Sequence, residues 1–270
     1  QINKMQVEVI SIDMPSGLPT DEAAKDWEAI IQAKHTLTFQ AAKTALLLPD
    51  NEAFTGNMHI IPIGLSAGFE QTEPSNSFYT DASLLRPIYK KRKKFSHKGD
   101  FGHCLIMGGS FSKIGAAVLA TRAALHIGTG LVTAYVPKCG YEIMQISVPE
   151  AMTEVDSDYE LEYFNYKCKP TAIGIGVGMG TSTKSQEGLA AFLKSNKTPL
   201  VVDADALNIL AMHKELLKFL PSKSILTPHP KELARLIGSW NDDYEKIERV
   251  TAFSKTYDCV VLVKGAHTLI

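Results

Sequence analysis

Two prolines bracket a histidine in Thr227-Pro228-His229-Pro230-Lys231-Glu232-Leu233. Proline neighbours restrict the backbone on both sides, which suits an imidazole that must face a ligand; a rigid turn with an incidental histidine is the plainer reading. Asp203-Ala204-Asp205-Ala206-Leu207-Asn208 follows an apolar run. Carboxylates at this spacing share a face if the strand continues, where they can hold Mg2+ through water or orient donors. One of them can equally cap a helix. Glycines gather in Gly108-Gly109-Ser110, ahead of Gly115, and again in Gly174-Ile175-Gly176-Val177-Gly178-Met179-Gly180. Such loops let a phosphate approach the backbone beside a helix N-terminus. Neither matches G-x-x-x-x-G-K-[ST], and G-x-G-x-x-G fails because its third glycine would fall on Met179 or Thr181. A tight turn or a crowded strand edge therefore stays open beside the ligand loop. Ser11-Ile12-Asp13-Met14-Pro15-Ser16-Gly17 sets a carboxylate at a strand end, as a general base or as a turn starter.

Positioning these groups falls to alternating elements. Val7 to Ile12, His35 to Phe39 and His59 to Gly64 read as strands. Residues 66 to 77 turn polar, and the segment 67–79 is the expected linker. The basic run Lys90 to Lys94 reads as a solvated segment, or as an attractant for anionic nucleotides. Beyond it, strands are expected at Cys104 to Met107, Leu131 to Val136, Ala172 to Val177, Pro199 to Val202, Ser224 to Leu226 and Cys259 to Val263. Helices are expected at Gly115 to His126, Gln186 to Lys194, Ala206 to His213 and Lys231 to Ile237. Strand, loop and helix repeated in this way predict an α/β fold, a mostly parallel sheet with helices on both faces. Ligands of such sheets bind beyond the carboxyl ends of the strands, where Gly109, Ser110, Gly178, Asp203, Asp205, His229 and Lys264 all fall.

The 270 residues are 45% hydrophobic and 21% charged, with a formal net charge of −1. That excludes a disordered chain and leaves no global basic field for nucleic acid. No apolar run is long enough to span a membrane. The four cysteines are scattered without a C-x-x-C pair, so reduced thiols in a cytoplasmic protein are expected. The start at Gln1 in strand-like sequence, and the stop at Ile270 with no closing element, read as an internal piece of a longer protein.

The order of the clusters says more than any one of them. Lys98-Gly99-Asp100-Phe101-Gly102, Met107-Gly108-Gly109-Ser110, Gly115-Ala116-Ala117, Gly128-Thr129-Gly130-Leu131-Val132 and Pro149-Glu150 come first. Gly176 to Gly180, Asp203 to Leu207, Thr227 to Glu232 and Lys264-Gly265-Ala266-His267-Thr268 follow. In this order, over about residues 80 to 270, the chain resembles the NAD(P)H-hydrate dehydratase family, which implies a ribokinase-like fold. Residues 1–66, through Ser11 to Gly17, Thr36 to Phe39 with Lys43, and Ile63-Gly64, resemble the closing part of the NAD(P)H-hydrate epimerase domain, a Rossmann-like α/β fold.

The resemblance implies metabolite repair on a small-molecule substrate, the hydrated dinucleotide NAD(P)HX. The epimerase half interconverts R and S hydrates, and the dehydratase half consumes ADP or ATP, with Mg2+, to expel the hydroxyl of the S form. It carries substrate contact to Ala116, Gly178 and His229, and nucleotide binding to Lys264, Gly265, Ala266, His267 and Thr268. Gly109, Ser110, Asp203 and Asp205 take supporting roles. Asp13 becomes the proton-shuttling residue of the epimerase, near a K+ site shared with Ser16. No nucleic-acid or membrane partner is expected, and a homo-oligomer is. The family's G-T-G-D-type loop with its catalytic aspartate would follow Ile270, and the epimerase's glycine-rich segment would precede Gln1. A ribokinase-like kinase of sugars or hydroxymethylpyrimidines is the alternative enzyme, since it shares the fold. A nucleotide-binding module without turnover is the non-enzymatic one.

Overall fold

The computed structural model describes residues 1–66, 68, 72 and 75–270, so part of the expected linker lies outside the described residues. The chain forms two compact units, one of Gln1–Arg92 with Trp240–Glu248 and one of Lys93–Ser239 with Arg249–Ile270.

In the first unit, β1 (Ile10–Ile12), β2 (His35–Phe39) and β3 (Asn57–Ile61) make a parallel sheet in chain order. β1 is shorter than the apolar run from Val7 foretells, although the Val9 carbonyl still accepts from Lys34 N–H at 2.8 Å. β3 begins earlier than expected and stops before Pro62, which has no N–H to give a ladder. Leu18, Ile30, Leu46 and Phe54 form the core of this unit, and fully buried Thr36 passes its hydroxyl to the Thr55 carbonyl.

The second unit holds β4 (His103–Met107), β5 (Leu131–Val136), β6 (Met152–Val155), β7 (Ala172–Ile175), β8 (Leu200–Val202), β9 (Ile225–Leu226) and β10 (Val260–Val261). They pair in parallel in the order β10-β9-β8-β7-β4-β5-β6. Helices α1 (Ile114–His126), α2 (Tyr141–Ser147), α3 (Thr183–Ser195), α4 (Ala204–Met212) and α5 (Pro230–Ile237) fall between them in sequence, as does α6 (Asp243–Tyr257), which belongs to this unit from Arg249 on. α1 buries Ile114, Ala117, Val118 and Thr121, one stripe at helical spacing. That stripe packs with Val132, Ala134 and Val136 of β5 and with Met144 of α2. Gly128, at φ +104°, lets the chain leave the helix.

From β4 the chain winds outward through β5 and β6, then returns to the other flank of β4 and winds the opposite way through β7 to β10. The direction reverses between β4 and β7, and sheets of this kind bind ligands beyond the carboxyl ends of the strands at such a point. Beyond β10 the chain turns back, and Leu269 exchanges both backbone hydrogen bonds with Val263 in an antiparallel bridge. Among the described residues no helix is long and apolar enough to cross a membrane. The four cysteines are free thiols, and burial pushes the Cys259 thiol up to about 11.

Candidate functional site

At the switch point two glycine loops touch. The Gly109 N–H donates to the Val177 carbonyl at 2.8 Å, and a Cβ on Gly108 would lie 2.6 Å from that same oxygen. Ser110 is buried, and its carbonyl accepts from Lys113 N–H at 2.8 Å. Between them Ser112 sits at φ +71°, a left-handed conformation costly for a residue with a Cβ. Gly178, at φ +60°, faces the first turn of α1. A Cβ there would be 3.1 Å from Lys113 Cβ and 3.2 Å from Ala116 Cβ. Two of the three expected substrate contacts, Ala116 and Gly178, are therefore packed neighbours.

Asp203 and Asp205 part company at the N-terminus of α4. Asp203 Oδ1 accepts from the Ala204 N–H and from Lys264 Nζ, each at 2.8 Å. Asp205 Oδ2 accepts from the Gly180 N–H at 3.0 Å and lies 3.5 Å from Lys113 Nζ. Ala204 between them sits at φ +49°, which turns the two side chains to different neighbours. Both carboxylates are engaged by protein donors, and among the described residues no cluster of three His, Cys, Asp or Glu is placed to hold a metal. They anchor loops: Asp203 fixes Lys264, and Asp205 fixes Gly180 and Lys113. Lys264 is held a second time, by its N–H on the Pro228 carbonyl at 3.0 Å. Gly265, Ala266, His267 and Thr268 follow as an exposed turn closed by the Val263–Leu269 bridge.

His229 caps α5. Its Nδ1 accepts from the N–H groups of Lys231 at 3.1 Å and Glu232 at 3.4 Å, while its own N–H donates to Glu232 Oε2 at 2.9 Å. With Nδ1 accepting, the ring proton sits on Nε2, 3.3 Å from Glu232 Oε1. The prolines thus serve a reciprocal capping box on a helix that starts with Pro230. A His229→Ala variant is expected to lose about 1 kcal/mol of stability with its cap. His229→Asn keeps a capping acceptor, so a rise in substrate KM without a fall in melting temperature would isolate the ring's contact with substrate. If His229→Asn restores both, the imidazole is a cap alone.

In the first unit Asp13, at φ +65°, receives Lys43 Nζ at 2.6 Å, the Phe39 N–H at 3.1 Å and the Thr38 hydroxyl at 3.3 Å on Oδ1. The Lys43 ammonium, then the Phe39 N–H, hold this carboxyl below the usual aspartate range. A carboxyl depressed on folding adds stability above its unfolded pKa, and that contribution is lost as the pH falls through the folded value. Thermal melts from neutral pH to below pH ~4 should show the margin of wild type over Asp13→Asn shrinking on acidification. A constant margin would mean that the ion pair carries none of it. The Ser16 carbonyl accepts from Ile31 N–H at 3.0 Å.

Gly178, His229 and Lys264 stand at the carboxyl ends of β7, β9 and β10 of one sheet, joined through Asp203 and Pro228. Lys113 and Glu160 went unnoticed in the sequence. Lys113, between a serine-rich turn and Gly115, is a cation at a helix start, a signal that the glycines overshadowed. Glu160, which accepts from the Ser185 hydroxyl at 2.9 Å and packs against Gly180, lies in a stretch with no local pattern.

Residues 104–270 match the family model described as NAD(P)H-hydrate dehydratase, and residues 1–45 match that of the YjeF-related protein N-terminus. The bifunctional NAD(P)H-hydrate repair enzyme Nnr of Moorella thermoacetica is 34% identical over 283 residues, covering 100% of this chain and 53% of that protein. The enzyme of the same name from Escherichia coli is 30% identical, with 99% and 51% covered. The chain thus spans about half the length of the curated relatives it matches. A crystal structure of ADP/ATP-dependent NAD(P)H-hydrate dehydratase from Bacillus subtilis, co-crystallised with ATP and Mg2+, superposes with a TM-score of 0.56. It is 26% identical, with 69% of this chain and 66% of that one covered. A ribokinase-like protein from Enterococcus faecalis reaches a TM-score of 0.58 at 19% identity, a likeness of fold, with 72% and 70% covered. With its switch point built into a ribokinase-like sheet, the chain belongs to the NAD(P)H-hydrate dehydratase family and carries a YjeF-related segment ahead of that domain.

Proposed function

We propose that this chain is part of a nicotinamide-nucleotide repair enzyme. Residues 1–66 contribute to epimerisation of R and S NAD(P)H-hydrate, residues 67–79 link, and residues 80–270 contribute to nucleotide-dependent dehydration of the S hydrate to NAD(P)H. The observation that supports it most is the Lys264–Asp203 pair on the same sheet edge as the Gly178–Ala116 contact. A lysine loop there meets the polyphosphate of ADP or ATP, and the surface beside Gly178 and Ala116 receives the hydrated ring.

Hydroxide is a poor leaving group. Transfer of the terminal phosphoryl group to the substrate hydroxyl makes it a good one, with the nucleotide one phosphate shorter and a proton released. The phosphate ester then departs as phosphate while the ring loses a proton and regains its double bond. Both steps shed negative charge onto phosphate oxygens, so positioned donors govern the rate. Lys264 and Lys113 are this chain's cationic donors on that edge, since the first N–H groups of α4 are already taken by Asp203 and the Gly176 carbonyl.

Mg2+ would neutralise nucleotide phosphates, and the residues present do not cage it: Asp203 and Asp205 face protein donors, which leaves contact through water. K+ at Asp13 and Ser16 belongs to the same proposal. Lys43 already occupies Asp13 Oδ1, so these two residues alone do not enclose a cation. In the epimerase half, Asp13 holds the proton-accepting oxygen, kept ionised by Lys43.

The test is to incubate the full-length protein with hydrated NADH and ADP, or ATP, and to follow the absorbance of reduced nicotinamide. Recovery of NADH that requires the nucleotide supports the reading. Phosphorylation of an alcohol without NADH recovery replaces it with a kinase, and ligand-dependent stabilisation without turnover replaces it with a binding module.

A further inference from the structure

The same sheet edge continues past Gly178 and Gly109 to a cavity at the ends of β5 and β6. Lys138, Cys139, Tyr141, Glu142, Ile143 and Val155 line about 660 Å3 there, a volume within the range of small-molecule sites. Tyr141, Ile143 and Val155 leave 43%, 44% and 41% of their surface in water, so the walls are apolar and uncovered. Packing joins the cavity to the switch point: a Cβ on Gly140 would lie 2.6 Å from Ile114 Cδ1, and one on Gly109 would lie 3.1 Å from the same methyl.

Between the two stands an aromatic pair. Phe111 and Tyr159 meet edge to face, with ring centroids 5.7 Å apart, and the Phe111 N–H donates to the Tyr159 carbonyl at 2.7 Å. Both rings are exposed, at 66% and 63%. The loop that carries Tyr159 is tied to the end of β5 by Lys138 N–H on Ser157 O at 2.7 Å and Cys139 N–H on Asp158 O at 3.1 Å.

Resting on the function proposed above, we infer that this cavity receives the adenosine half of the dinucleotide substrate, with Phe111 and Tyr159 flanking its path. The order of the strands argues for this orientation. The nucleotide donor belongs at Lys264 on β10, so the reacting ring must lie on the β10 side of the substrate and its distal half on the β5–β6 side. From β7 to β5 is two strand spacings, roughly 10 Å, a span suited to a pyrophosphate linker. Tyr141, Ile143 and Val155 offer a base apolar surface, Lys138 faces phosphate, and Glu142 accepts from ribose hydroxyls.

Ile143→Trp fills the cavity from an exposed position, and Tyr141→Ala removes a wall. In the full-length protein, Ile143→Trp should raise KM for hydrated NADH about ten-fold, the scale of one lost base-stacking surface. KM should stay near wild type for the hydrated reduced mononucleotide, which has no adenosine, and for ADP. Calorimetric titration with NADH reads the same loss without turnover, and melting curves show that both variants fold. Unchanged NADH affinity in both folded variants, or an equal loss on the mononucleotide, overturns the inference. Weakened NADH binding in a protein without dehydratase turnover would retain the subsite and overturn the function; turnover with unmoved affinity would do the reverse.

Discussion

Lys264→Met in the full-length protein is expected to cut nucleotide-dependent NADH recovery by about 100-fold or more, the usual cost of removing one positioned donor from a developing charge. Its stability should hardly move. The Lys264 and Asp203 side chains are 42% and 29% exposed, so water screens their ion pair, and such pairs contribute about 1 kcal/mol or less. Asp203 also keeps its bond from the Ala204 N–H, so the carboxylate is not stranded. The Lys264 N–H on the Pro228 carbonyl is backbone and survives the substitution. Asp203→Asn tests the converse: it leaves the ammonium in place but unanchored, and should raise KM for the nucleotide more than it lowers kcat. A Lys264→Met protein that melts at the wild-type temperature and still turns over near the wild-type rate would remove the lysine from the phosphate site.

The sequence disclosed those features that local chemistry determines. Apolar runs at β4, β5, β7 and β8 end close to where the chain leaves the sheet, and β5 is buried along nearly its whole length. α1 was legible through its alanine-rich stripe and Gly128. β6 and α2 were not. Met152-Thr153-Glu154-Val155 is short and half polar, and Tyr141 to Ser147 sits between prolines that read as loop. Missing them hid the cavity that they line. α6 escaped notice because Asp243 to Tyr257 is polar over much of its length, which blurs the apolar period. The partners of the candidate residues were out of reach for a different reason. Lys264 with Asp203, and Asp205 with Lys113 and Gly180, are joined by the order of strands in the sheet, which spacing along the chain does not encode. His229 shows the limit most plainly: its flanking prolines were read as aiming a ring, and they also build a helix cap.

Gly176→Ala should strongly destabilise the second unit, while Gly178→Ala should fold and lose substrate affinity. Gly176 sits at φ +115°, outside the left-handed region that an alanine tolerates, and a Cβ there would run into the Asp203 carbonyl oxygen and lie 2.6 Å from Ala206 Cβ. Neither neighbour can yield, because one is backbone at the end of β8 and the other is fully buried in α4. Strain and overpacking together are expected to cost about 3 kcal/mol or more, a large part of what holds a domain together. Gly178 differs in kind. Its φ of +60° lies where an L-residue pays about 1–2 kcal/mol. Its added methyl would meet Lys113 and Ala116 side chains at 3.1 and 3.2 Å, close enough to push α1 by tenths of an ångström. That shift would disturb the surface beside Gly178 and Ala116 assigned to the hydrated ring. Gly178→Ala should therefore melt a few degrees lower, with KM for hydrated NADH raised and KM for ADP unchanged, because Lys264 is anchored elsewhere. If both variants lost only stability, in proportion to one another, the Gly178–Ala116 contact would be a packing seam alone and the ring would have to bind on some other part of the edge.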